Sequence, residues 1–120
     1  MTQRLAFVGG GRMGEALIAG ALRGTVTPPD VVVIEPVAER AQYLRQQYGV
    51  AAGSDAAAVA NADVVVLAVK PDQVSTVCAQ ISAYLSAEVL VVSVAAGITT
   101  TVLEAALPDG TSVVLSLIHI

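Results

Sequence analysis

Aromatic side chains make up 3% of the 120 residues, and the chain has one cysteine, Cys78, and one histidine, His119. A single cysteine excludes an internal disulfide framework and a cysteine-rich metal site. Within a helical segment Cys78 reads as a small apolar filler rather than a reactive thiol. His119 has no Cys, Ser or Asp at a spacing that would make a catalytic pair, and no metal-ligand cluster is visible. Tyr43, Tyr48 and Tyr84 read as packing residues with wet hydroxyls, not as a base-stacking platform. Charge is also scarce. Six Lys and Arg stand against ten Asp and Glu, a net charge of −4 with no basic run, which argues against nucleic acid as a partner. Long apolar runs are missing too. The longest, Val64 to Val69, falls far short of the roughly 20 residues a spanning helix needs, so no membrane partner is expected. The apolar N-terminal stretch is broken by Gly9, Gly10 and Gly11 and contains Arg12 and Glu15, unlike a signal peptide. The expected compartment is the cytoplasm.

What is present is apolar: 55% of the residues, too hydrophobic and too weakly charged for disorder and enough for one domain with a real core. The apolar residues fall in short blocks rich in β-branched residues. They are Leu5-Ala6-Phe7-Val8, Val31-Val32-Val33-Ile34, Val64 to Val69, Val89 to Val94, and Ser112-Val113-Val114-Leu115. None alternates apolar with polar, the pattern of strands covered by helices on both faces. Between them lie segments of helical spacing. Met13, Leu17, Ala21 and Leu22 share one face; Val37, Ala41, Leu44 and Tyr48 share another, ended by Gly49. A short Ala-rich helix follows Ser54 and Asp55, and a further helix runs from Asp72 to about Leu85. Thr101 and Glu104 have capping-box spacing before a last helix that Pro108 stops. The alternation of strand and helix predicts an α/β fold, a Rossmann-like doubly wound parallel sheet with helices on both faces. Thr27-Pro28-Pro29-Asp30 reads as a turn inside that domain, not as a boundary.

The chemistry-bearing signal is Gly9-Gly10-Gly11-Arg12-Met13-Gly14, which fits G-x-G-x-x-G after a strand and at the opening of a helix. In such a loop Gly9 permits the tight turn, Gly11 lets backbone approach a pyrophosphate, and Gly14 lets helix and strand pack closely. The helix N-terminus then offers N–H groups to the phosphates. The plain alternative is a glycine-rich turn with no ligand. Glu35 ends the second strand block, where a carboxylate accepts from an adenosine ribose 2′-OH and favours NAD over NADP. Arg40, near it, would reverse that preference by pairing with a 2′-phosphate; the alternative is a solvated pair of Glu35 and Arg40. Ala68, Val69, Lys70 and Pro71 close the third block, and Ala95, Ala96 and Gly97 follow the fourth. Both segments sit where ligands of open α/β sheets bind; a solvated lysine and simple close packing are the alternatives.

Taken together these motifs resemble pyrroline-5-carboxylate reductases. The similar stretches run from Phe7 to Ala16, from Ala62 to Pro71 and from Val92 to Ile98. The resemblance implies hydride transfer from NADPH or NADH to the C=N bond of 1-pyrroline-5-carboxylate, giving L-proline. It places Gly9, Gly11, Arg12, Met13 and Gly14 at the pyrophosphate and Glu35 at the ribose. It places Ala68, Val69, Lys70 and Pro71 near the nicotinamide ribose, and Ala95, Ala96 and Gly97 near the nicotinamide. After Leu115 the sequence departs from the family's Arg-x-Met-Pro-Asn-x-Pro segment and reads Ser116-Leu117-Ile118-His119-Ile120. The expectation is therefore a dinucleotide-binding domain over residues 1–115 with a non-native tail over 116–120. The family's helical C-terminal domain, which carries the dimer contact and most of the imine pocket, is expected to be missing. No catalytic residue is carried over, and the 120 residues alone are expected to be inactive and prone to self-association. The alternatives are a related reductase, such as one using a deazaflavin and NADP, or a nucleotide-binding module without chemistry.

Overall fold

The computed structural model describes residues 3–24, 26–94, 103, 105–108 and 110–115. The first expected strand forms as β1 (Leu5–Val8), followed by helix α1 (Arg12–Leu22). The Pro28–Asp30 turn leads into β2 (Val31–Ile34) and helix α2 (Ala38–Tyr48). Then come β3 (Ala51–Gly53), β4 (Val64–Leu67), helix α3 (Val74–Ile81), β5 (Leu90–Ser93) and β6 (Ser112–Leu115). The six strands make one sheet in the order β3-β2-β1-β4-β5-β6. All five pairings are parallel. The chain thus winds outward from β1 in one direction, returns, and winds outward in the other, the Rossmann arrangement expected from the sequence.

The continuous apolar strands divide by alternate residues between the two faces, as the pleat requires. On one face Phe7, Val31 and Val33 pack with Ile18 of α1 and Leu44 of α2. On the other, Ala6, Val8, Val65, Leu67 and Val91 pack with Val74, Cys78 and Ile81 of α3. Cys78 is fully buried there, as a small apolar filler should be, and burial pushes its thiol pKa up. Leu103 and Leu107 close the same core.

Several boundaries differ from the sequence expectation. β3 lies outside the sequence expectation: Ala-Ala-Gly carries no hydrophobic signature, and it forms because an edge position beside β2 supplies its hydrogen bonds. The third and fourth apolar blocks run past the ends of their strands, because β4 stops at Leu67 and β5 at Ser93. Val37 does not join the buried stripe of α2. It is the N-cap residue and 57% exposed. In α1 the stripe is centred on Gly14 and Ile18, leaving Met13 exposed. The Ala-rich segment is a 3-10 helix over Ala56–Asn61, capped by Asp55, whose Oδ1 accepts from the Ala57 N–H at 3.0 Å. The segment from Asp72 is broken into a 3-10 turn, α3 and a second 3-10 turn at Ser82–Tyr84. Gly49 ends α2 with φ of +73°, which suits glycine. Thr101 and Glu104 lie outside the described residues, as do residues 116–120.

Candidate dinucleotide site

The carboxyl ends of β1, β2, β4 and β5 are level. Val8 pairs with Ile34 and with Leu67, and Leu67 with Ser93. The loops that follow these strands therefore meet along one edge of the sheet. Gly9 leaves β1 with φ of +101° and donates its N–H to the Ile34 carbonyl at 2.9 Å. A Cβ on Gly9 would stand 2.7 Å from the Ala68 carbonyl oxygen and 3.1 Å from Val69 Cγ1. Two motifs separated by about sixty residues are thus in contact, and only a residue without a side chain fits between them. A Cβ on Gly14 would run into the Gly9 carbonyl oxygen, so close packing of α1 on the loop needs that glycine as well. Gly11 is different. A Cβ there would meet nothing within 4 Å, so neither packing nor φ requires glycine at this point. The open space lies at the N-cap of α1. The first N–H groups of a helix have no intrahelical acceptor, and Gly11 has no side chain to supply one.

Gly10, the unspecified position of the motif, is held by side chains at both its N–H and its carbonyl. It is buried. A Cβ would stand 2.6 Å from Leu44 Cδ1 and 3.1 Å from Glu35 Oε1. Its N–H donates to Glu35 Oε1 at 2.9 Å, and its carbonyl accepts from Arg40 Nε. Glu35 is 7% exposed. Its second oxygen accepts from the Val37 N–H at 2.8 Å. Both oxygens expected at a ribose thus accept from the chain's own backbone. A buried N–H must find an acceptor, and Gly10 finds it in Glu35.

Arg40 does not form the solvated pair with Glu35. Its Nη2 donates to Glu15 Oε1 at 2.6 Å, and its guanidinium lies 4.8 Å from the centre of the Tyr43 ring. The other Glu15 oxygen accepts from the Tyr48 hydroxyl at 2.5 Å and from the Tyr43 hydroxyl at 2.8 Å. The Tyr48 hydrogen bond, then that of Tyr43, then that of Arg40, hold the Glu15 carboxyl down at about 2. The same contact pushes the Tyr48 phenol up to about 12 and raises that of Tyr43. These two hydroxyls are therefore bonded to a carboxylate, that of Tyr43 at an exposed position. The sequence signal for this cluster is slight: Arg40, Tyr43 and Tyr48 share one side of α2, and Glu15 stands in the first turn of α1.

Of the remaining expected residues, Arg12, Met13, Lys70 and Pro71 are exposed at this edge, and Ala68 and Val69 are half-buried beneath the glycine loop. Lys70 caps the Pro71–Gln73 turn through its carbonyl, which accepts from the Gln73 N–H at 2.9 Å. Ala95, Ala96 and Gly97 lie outside the described residues. Among the described residues no group of His, Cys, Asp and Glu could hold a metal ion, and no helix is long and apolar enough to cross a membrane.

Residues 4–97 match the family described as NADP oxidoreductase, coenzyme F420-dependent. The chain belongs to that family. Among its relatives is a pyrroline-5-carboxylate reductase of Mycobacterium leprae, 47% identical over 116 residues, which are 92% of this chain and 40% of that protein. A pyrroline-5-carboxylate reductase structure from Coxiella burnetii superposes with a TM-score of 0.89 at 31% identity, covering 96% of this chain and 43% of that one. The Plasmodium falciparum pyrroline carboxylate reductase with NADP bound superposes at 0.77 with 26% identity, covering 95% and 41%. The resemblance read from the motifs is thus borne out, and this member of the family spans about two fifths of the length of those relatives.

Proposed function

We infer that this chain supplies the cofactor-binding domain for NAD(P)H-dependent reduction of 1-pyrroline-5-carboxylate to L-proline. The observation that carries the reading is the contact of Gly9 with Ala68 and Val69. It joins the glycine loop to the loop that ends in Lys70 and Pro71, at the sheet edge where such folds bind dinucleotides. The imine substrate is supported by the name of the 47% identical relative. That name favours it over the deazaflavin-linked reaction named in the family's description.

The residues present fit a dinucleotide. The room beside Gly11 is where a side chain would stand in any other residue, and the adjoining helix start offers backbone N–H donors. The bound cofactor would supply the hydride. Gly11, Arg12, Met13 and Gly14 would hold its pyrophosphate, with Glu35 on the ribose side of the same loop. Ala68, Val69, Lys70 and Pro71 would bound the nicotinamide ribose, and Ala95, Ala96 and Gly97 the ring. Lys70 adds a cation with no ion-pair partner among the described residues.

Calorimetric titration of the chain with NADPH and with NADH tests the reading. Gly11→Val places its Cβ in open space but fills the approach to the backbone. It should melt like the parent yet weaken both dinucleotides by at least about tenfold, roughly 1.4 kcal/mol. Unchanged affinity removes the loop from the site. The substrate is tested by joining these residues to the remainder of the M. leprae relative and measuring proline formed from 1-pyrroline-5-carboxylate. No turnover in a folded chimera that binds NADPH would count against the imine.

A further inference from the structure

The Gly10 peptide is gripped at both ends. Glu35 Oε1 takes its N–H at 2.9 Å, and Arg40 Nε donates to its carbonyl. Arg40 is in turn held by Glu15, itself bonded to Tyr43 and Tyr48. Leu44 closes the third side, 2.6 Å from where a Cβ would stand. Gly10 sits between the residue that makes the turn and the residue beside which a ligand has room. Fixing its peptide plane fixes where the Gly11 backbone lies. Glu35 is committed to this grip: it is 7% exposed, and its other oxygen holds the Val37 N–H. An acid set to read a ribose hydroxyl would offer an oxygen to solvent, whereas Glu35 is buried with each oxygen on a backbone donor.

We propose that Glu35 and the Glu15–Arg40 pair are positioning residues for the pyrophosphate loop, and that Glu35 does not discriminate between NADH and NADPH. The inference rests on the dinucleotide reading above. It separates two roles that a strand-end acid could have. A ribose reader favours one cofactor over the other, because a carboxylate attracts a hydroxyl donor and repels a phosphate. A loop brace affects both alike, because the pyrophosphate is common to them.

The test uses Glu35→Gln and Glu15→Gln in the 120-residue chain. In Glu35→Gln the amide side chain has one neutral acceptor oxygen for two backbone donors, so both N–H groups lose a charged acceptor and one of them faces the NH2 group with no acceptor. Exchange of the Gly10 amide, followed by NMR, should speed up by about tenfold or more in Glu35→Gln while amides of β1 and β4 keep their rates. Dissociation constants for NADPH and NADH should both rise by about tenfold, with their ratio changing by less than about threefold. Glu15→Gln, remote from the Gly10 N–H, should weaken both dinucleotides in the same proportion. A ratio shifted by about tenfold in Glu35→Gln makes Glu35 a reader and overturns the inference. So does unaltered affinity for both dinucleotides in folded variants, or an unprotected Gly10 amide in the parent. Should Glu35→Gln melt out, Glu35→Asp, whose carboxylate is one methylene shorter, is read by the same limits. A parent chain that binds neither dinucleotide overturns the proposed function and this inference with it, an outcome distinct from all of these.

Discussion

Glu15 gathers three donors from one side of α2, and this sets how the contact responds to acid. Its carboxyl lies at about 2 in the fold against an ordinary value of 4.5. A folded value below the unfolded one means that the ionised form is favoured by folding. The stabilisation is complete above about pH 4.5 and is lost as the pH falls through about 2. Between those limits the parent melting temperature should fall more steeply than that of Glu15→Gln. Parallel curves in thermal melts would show that the cluster adds nothing to stability. Tyr48 repeats the effect with the opposite sign, its phenol raised to about 12; its share is present below about pH 10 and lost on the way to 12. Gly9 and Gly14 are legible in the sequence because a short motif after a strand fixes a tight turn and a close helix approach, and the structure leaves no room for a side chain at either. The grip on Gly10 is not. Its partners stand 25 and 30 residues away, and Glu15 meets Tyr48 across 33, pairings that only the packing of α2 beside α1 creates.

At the scale of elements, five of the six strands were visible because continuous Val-rich blocks leave a strand no choice but burial on both faces. β3 was invisible, since Ala51–Gly53 owes its form to β2 and not to its own side chains. The helices were foreseen better than their ends. Val37 fits the spacing of the buried stripe, yet it stands before the first helical turn and faces outward. α2 is attached to the sheet chiefly through Leu44 and Ala41, both buried. Leu44 is fully enclosed by the core that contains Phe7, Ile18 and Val33. Leu44→Ala should therefore cost about 2–5 kcal/mol in urea unfolding, the range for emptying such a site. A loss under about 1 kcal/mol would mean that α2 collapses readily into the space, or that it is held by its polar contacts instead.

For the molecule as a whole, the strand order puts β1 at the centre, paired on both sides, and leaves β3 on one edge and β6 on the other. Interior strands open only with the fold, while short edge strands open locally. In native-state hydrogen exchange the amides of β1 and β4 should be the slowest and those of β3 among the fastest. Equal protection across β1 and β3 would contradict this layout. The layout also bears on how the protein is made. Synthesis delivers the N-terminal end first, so β1 and the glycine loop emerge well ahead of everything that shapes them. Ile34 and Glu35 arrive next, then Arg40, then Leu44 and Tyr48, and last Ala68, against whose carbonyl Gly9 rests. A nascent chain holding only the first strand and helix has the motif but not its shape. The glycine loop takes its final shape only when β4 has been translated and docked, so the smallest portion of the gene able to encode that shape reaches past the codon for Ala68.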